Sequence, residues 1–254
     1  MKKYVITMFC ICLLSIGGCD QNLNDNKASV NTAPSPPPRI LVLQDLTGSA
    51  NWTGTPIIGQ DDLKALIGLL YRRSGEIAFG FITDKSNRPL IRLQIDPPPV
   101  KPEAPSTEGN PLKAADRFNE FNRQMKVYES DYAVWKVASD EKTRKFLATV
   151  ASVLASPPKP RSTDIWGAVA RLDLFFSEDT IFWKQTPVNY ACLITDGLHN
   201  NSRRKARAPM QSKVKLLLVN ATGSVGDLEQ LETSRFESLG AAINSIIYDA
   251  ERGR

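Results

Sequence analysis

The chain has 254 residues, 42% of them hydrophobic and 23% charged, with 32 Lys and Arg against 27 Asp and Glu for a formal net charge of +5. So small a basic excess gives no reason to expect a nucleic-acid partner, and the apolar content is that of an ordinary globular domain rather than of a disordered or multiply membrane-spanning chain. Of the 4 cysteines, Cys10, Cys12 and Cys19 fall close to the start and only Cys192 lies further on, inside an apolar run. That usage excludes a disulfide framework and makes Cys192 a buried structural thiol.

Lys2 and Lys3 followed by the apolar run from Tyr4 to Ile16 read as an export signal. The run is well short of the roughly 20 apolar residues that a membrane-spanning helix needs. It ends at Ile16-Gly17-Gly18-Cys19, which resembles the lipobox of bacterial lipoproteins. The resemblance implies cleavage before Cys19, lipidation of its thiol, and durable attachment to a cell membrane, because a stable anchor needs more than one acyl chain. Asp20 resembles the inner-membrane retention signal of enteric bacteria and favours the periplasmic face of the inner membrane over the outer membrane. Residues 19–38 are rich in Asn, Ser, Ala and Pro and end in Pro36-Pro37-Pro38, a composition that cannot bury a core and reads as a flexible tether. The expected organisation is therefore a signal peptide at 1–18, the tether at 19–38, and one domain at 39–252.

Along that domain, Ile40-Leu41-Val42-Leu43 predicts a strand buried on both faces. Leu63, Leu66, Ile67 and Leu70 recur at i, i+3, i+4 and i+7 and predict a helix. Residues 77–82 predict a second buried strand, and the alternation over 90–95 an edge strand with one wet face. From about 100 to 109 the chain is Pro-rich and irregular, and 110–155 reads as helical, with an apolar face near its end at Leu147, Val150 and Leu154. Together, about 100–155 forms an insertion. Ile165, Val169, Leu172 and Phe176 mark another helix, and 190–194 and 214–219 two more buried strands. Leu228, Leu231 and Leu239 predict a late helix stopped by Gly240, and 242–248 a last strand. Strands alternating with helices give an α/β fold: a doubly wound, mostly parallel, Rossmann-like sheet with helices on both faces and a helical insertion. Ligands of such sheets sit outside the carboxyl ends of the strands, so polar residues just after strands are the ones to inspect.

Asp45-Leu46-Thr47-Gly48-Ser49 follows the first strand, Thr195-Asp196-Gly197 follows the 190–194 strand, and Ser162-Thr163-Asp164 opens the Ile165 helix. Hydroxyls with a few carboxylates suit a hard divalent cation such as Mg²⁺. These residues resemble the metal-ion-dependent adhesion site of von Willebrand factor A domains: Asp-x-Ser-x-Ser after strand one, a distal Thr before a helix, and an Asp after a later strand. Here the first motif is Asp45-x-Thr47-x-Ser49, with threonine at the middle position, and Thr163 and Asp196 match the distal pair. The resemblance spans about 39–249 and implies that Thr47, Ser49 and Thr163 bind Mg²⁺ (or Mn²⁺ or Ca²⁺) through their hydroxyls. Asp45 and Asp196 would act through water or as second-shell acceptors, and an open position would take an acidic residue from a protein partner. Considered alone, Ser162 to Asp164 would also cap a helix, and Asp196-Gly197 would make a turn.

Other chemistries fit less well. Leu46 interrupts any Asp-Thr-Gly, and a phosphatase of the haloacid-dehalogenase type would need an Asp where Thr47 stands. A serine hydrolase could recruit only His199, and no Gly-x-Ser-x-Gly elbow accompanies it. Asn51-Trp52-Thr53 matches a glycosylation sequon by chance. The basic run holding Arg203, Arg204, Lys205 and Arg207 follows the Asp196 loop and reads as a rim steering an acidic partner, as a solvated loop, or as a contact for anionic headgroups. The expected function is non-enzymatic, metal-dependent protein binding at a bacterial envelope, without nucleic acid. The alternatives are an assembly subunit with a vestigial metal site and a hydrolase using His199.

Overall fold

The computed structural model describes residues 36–252 apart from 53, 85, 87, 107–110, 179–184, 199–211 and 223–232. The expectations for Cys19 and the rest of the leader, for His199, for Arg203, Arg204, Lys205 and Arg207, and for Leu228 and Leu231 concern residues outside that set. The described residues fall within one compact unit, Pro34–Arg254.

The continuous apolar runs become the inner strands of a mixed six-stranded sheet. These are β1 (Pro38–Asp45), β2 (Gly75–Ile82), β4 (Val188–Ile194) and β5 (Lys215–Val219), with β3 (Ile91–Ile95) and β6 (Thr233–Phe236) at the two edges. The order is β3-β2-β1-β4-β5-β6, and every pairing is parallel except β2 with β3. A strand hidden on both faces needs no polar alternation, which is why β1 and β4 read as unbroken hydrophobic runs. Ile40, Val42, Cys192, Ile194, Leu217 and Val219 enter one core, and Leu41, Leu43, Ala191, Leu193, Leu216 and Leu218 the other.

Helices cover these two faces. The first core takes Leu63, Leu66 and Leu70 from α2 (Gln60–Arg73) and Ile243 and Ile246 from the last helix. The second takes Ile165, Val169, Leu172 and Phe176 from α4 (Ile165–Ser177), the four positions whose spacing predicts that helix. A five-residue helix, α1 (Gly48–Trp52), follows β1. Between α2 and β2 the chain turns through Gly75 at φ 138°, where a side chain would run into the Pro38 carbonyl and Leu70.

The 110–155 region is one 45-residue helix, α3 (Pro111–Ala155). Pro111 stands in its first turn, and no Gly or Pro interrupts it before Pro157. Its fully buried apolar residues among those described, Phe146 and Val150, lie in its last third with Leu147 and Leu154 packed beside them, and Trp135 packs on the same core from the middle of the helix. Further back, Trp135 Nε1 donates to the Asp96 carbonyl at 2.9 Å, and Tyr71 of α2 donates to Asp140 at 2.7 Å. The Pro-rich segment ahead of α3 has no regular hydrogen-bonded structure through 106, yet Pro98, Pro99, Pro102 and Pro105 are half-buried.

The end of the chain corrects two expectations. Residues 242–248 are not a strand; they lie within α5 (Leu239–Arg252). Gly240 does not stop a helix but sits in the first turn of this one, after Ser238, whose Oγ accepts from the Ala241 amide at 3.3 Å. The buried residues Leu239, Ala242, Ile243, Ile246 and Ala250 fall at helical spacings, and the apolar cluster in the middle hides that period when it is read alone. The final strand is β6, four residues of mainly polar character.

Cys192 lies in β4 with 1% exposure, and burial first, with a smaller effect from Asp62, pushes its thiol up to about 12. At pH 8 only about one thiol in ten thousand would then be the reactive thiolate. Iodoacetamide should leave the Cys192 peptide unlabelled in the native protein and label it fully in denaturant, as read by peptide mass. Full native labelling would contradict its placement in the core.

Candidate functional site

The parallel register of β1 and β4 pairs Gln44 with Ile194, so the next residues, Asp45 and Thr195, emerge side by side at the carboxyl ends of the two strands. Strand order reverses at this boundary, since β2 and β3 lie to one side of β1, and β4, β5 and β6 to the other. This is the crevice that an open α/β sheet offers to a ligand.

Asp45 is 1% exposed and fully engaged. Its Oδ1 accepts from the Thr47 amide at 2.9 Å and its Oδ2 from the Thr195 hydroxyl at 2.8 Å. Burial pushes the Asp45 carboxyl up from its ordinary value, the hydrogen bonds from Thr47 and Thr195 oppose that, and the nearby charge of Asp196 adds to it. The amide contact folds the chain into a tight turn, which brings Thr47 back over the strand end.

Thr47 is the hub of the hydroxyl groups. Its Oγ1 accepts from the Thr163 hydroxyl at 2.9 Å and lies 3.2 Å from the Ser49 hydroxyl in α1. Thr163 is held there by the entry to α4: Asp164 caps the helix by accepting from the Gly167 amide at 2.8 Å. The Asp164 amide in turn donates to the Thr83 carbonyl after β2, and the Ser86 hydroxyl donates to the Asp164 carbonyl. The capping role expected for Ser162-Thr163-Asp164 thus belongs to Asp164, and Thr163 points at the site.

Asp196 is fully buried in the loop after β4. Its Oδ1 accepts from the Leu198 amide at 2.9 Å, while its Oδ2 has no hydrogen-bond partner among the described residues. Gly197 takes φ 80°, a conformation that β-carbon-bearing residues avoid, and donates to the Thr195 hydroxyl. The Thr222 amide, beyond β5, donates to the Asp196 carbonyl at 3.2 Å and braces the loop.

The five expected residues therefore meet at one end of the sheet. Thr195, which the sequence places in the Thr195-Asp196-Gly197 loop without a role of its own, ties Asp45 to the Asp196 turn. Its signal is a hydroxyl at the first position past a buried strand, beside a strand end that already carries a carboxylate. Thr83 and Ser86 support the site from the loop after β2 and carry no comparable signal, because that loop is an ordinary polar one.

The donor set fits a small hard cation. Mg²⁺ takes oxygens at about 2.0–2.1 Å in an octahedron, so adjacent ligands lie about 2.8–3.0 Å apart. The Thr47–Thr163 separation of 2.9 Å falls in that range and the Thr47–Ser49 separation of 3.2 Å just outside it. A buried carboxylate oxygen without a donor, as at Asp196 Oδ2, is costly unless a proton, a water or a cation meets it. Among the described residues no group of three or more His, Cys, Asp or Glu side chains gathers in a way that could hold a metal. A site built mainly from hydroxyls lies outside that pattern. No family model, curated protein or solved structure matches the chain.

Proposed function

We propose that the chain is a membrane-tethered, non-enzymatic protein-binding module whose domain is doubly wound and resembles von Willebrand factor A domains. In this reading Thr47, Ser49 and Thr163 hold Mg²⁺ (or Mn²⁺ or Ca²⁺), with Asp45 and Asp196 behind them. The observation that carries it is the Thr47 hydroxyl, which stands next to two other hydroxyls contributed by α1 and by the entry to α4. When bound, the ion would supply a coordination position for a carboxylate of a protein partner. The Thr47 hydroxyl has two hydroxyls beside it, and the nearby Asp45 carboxylate is already held by the Thr47 amide and the Thr195 hydroxyl, which favours holding a ligand over activating a nucleophile. Export and lipidation at Cys19, with the inner membrane favoured, rest on the lipobox resemblance. Among the described residues no helix is long and apolar enough to cross a membrane.

A second reading keeps the same fold as an assembly subunit with a vestigial metal site. It is favoured by the fact that Asp45 and the three hydroxyls satisfy one another without an ion. The two readings separate on capture of partners from solubilised envelopes. Metal-dependent binding predicts a partner set retained in Mg²⁺, released by excess chelator, and lost in Asp45→Ala. Undiminished capture in excess chelator contradicts it and favours the assembly reading.

A further inference from the structure

Away from the hydroxyl site, α4 packs beside β3 and leaves a cavity of about 680 Å³. Its lining includes Arg88, Arg92 and Arg171 against one carboxylate, Glu178. Arg92 is already paired, at 2.8 Å with Glu76 and at 2.6 Å with Glu178. Neither Arg88 nor Arg171 has a salt-bridge partner among the described residues.

Arg171 is the unusual member. It lies on the inward side of α4 among Ala168, Leu172 and Phe175 and is only 7% exposed. Gly80 of β2 makes room for it, since a side-chain carbon there would come within 3.0 Å of Nη1. Nη1 reaches the Phe81 carbonyl at 3.5 Å, a long contact, and Nη2 is buried without a hydrogen-bond partner among the described residues. Burial lowers the guanidinium to about 10, which leaves it charged at neutral pH. A buried cation without a counterion is costly, and an oxyanion supplied from outside relieves that cost with charge-assisted hydrogen bonds. The remaining walls are apolar, from Leu90 and Phe175 to Leu174, which is 66% exposed at the rim.

From this combination we infer that the cavity binds an amphipathic organic oxyanion. Its carboxylate or phosphate head lies against Arg171 and Arg88, and its apolar body against Leu90 and Leu174. The site does not depend on the metal reading.

The test is calorimetric titration of the full chain with hexanoate and with hexyl phosphate, using inorganic phosphate and hexanol as controls that each carry one feature. At least one amphipathic probe should bind tenfold or more tightly than either control, and the tighter of the two identifies the head group. Arg171→Met should weaken that binding by about ten- to a hundredfold, the range of a lost charge-assisted hydrogen bond. Its melting temperature without ligand should be no lower than that of the parent, because the substitution removes an unpaired buried charge. Arg88→Ser, at the exposed lip, should weaken binding severalfold and serves alone if Arg171→Met does not fold. Failure of both probes to bind, inorganic phosphate binding as tightly as hexyl phosphate, or unchanged affinity in the variants would overturn the inference.

Discussion

Mg²⁺ is expected to invert the order of stability between the Asp45→Asn variant and its parent. The substitution keeps the shape, leaves an oxygen to accept from the Thr47 amide, and offers its NH₂ to the Thr195 hydroxyl, which can accept in turn. It removes a carboxylate that burial disfavours, so in chelator the variant should melt no lower than the parent at neutral pH. Because the carboxyl is raised in the folded state above its ordinary 3.8, Asp45 favours folding most while protonated, below that value. That contribution is lost as pH rises through the raised value, when the buried group must ionise. Parent and variant should therefore melt alike in acid and diverge towards neutral pH, with the variant higher. Saturating Mg²⁺ should invert the order, since the parent gains about 2.7 kcal/mol at a hundred times its Kd and the variant binds about ten- to a hundredfold more weakly. Thermal melts over a pH series, with and without Mg²⁺, measure both halves. A variant that melts below the parent in chelator at neutral pH would show that the buried carboxylate already has its compensation without an ion.

Phe146→Ala should cost about 3–5 kcal/mol in denaturant unfolding, the range for emptying a buried aromatic site. Phe146 is 3% exposed, and it anchors the last third of α3 to the same core as Val150 and the inward residues of α2. Val137, on the same helix but 70% exposed, should tolerate Ser within about 0.5 kcal/mol. The contrast tests whether the buried face of α3 rather than its exposed face carries its contribution to stability. Equal costs at the two positions would contradict that division.

The inner strands were legible because burial on both faces imposes continuous apolar runs, and α2 and α4 because each buries one face at helical spacing. α5 was not, because Ala242, Ile243, Ile246 and Ile247 crowd into a run that a short window reads as a strand. The period becomes visible only when Leu239 and Ala250 are counted with it. β6 gave little signal: it is four residues long at a sheet edge, and its pairing to β5 comes from the backbone rather than from side chains. At the site, Asp45, Thr47, Ser49, Thr163 and Asp196 were legible as polar groups placed after strands or before a helix. Thr195 was not singled out, because its role depends on the β1–β4 register, which pairs Gln44 with Ile194 and which no local pattern states. Arg171 was hidden for a related reason: a lone arginine on an amphipathic helix reads as solvent-facing until the packing of α4 over Gly80 buries it.

Isothermal titration of the full chain with Mg²⁺, after exhaustive chelation, tests the central claim most directly. The account predicts one saturable site per chain, lost in Thr163→Val and greatly weakened in Asp45→Asn. Absence of saturable binding by Mg²⁺, Mn²⁺ or Ca²⁺ in the folded chain would contradict it and leave the hydroxyl group as a structural tie between the ends of β1 and β4 and the start of α4.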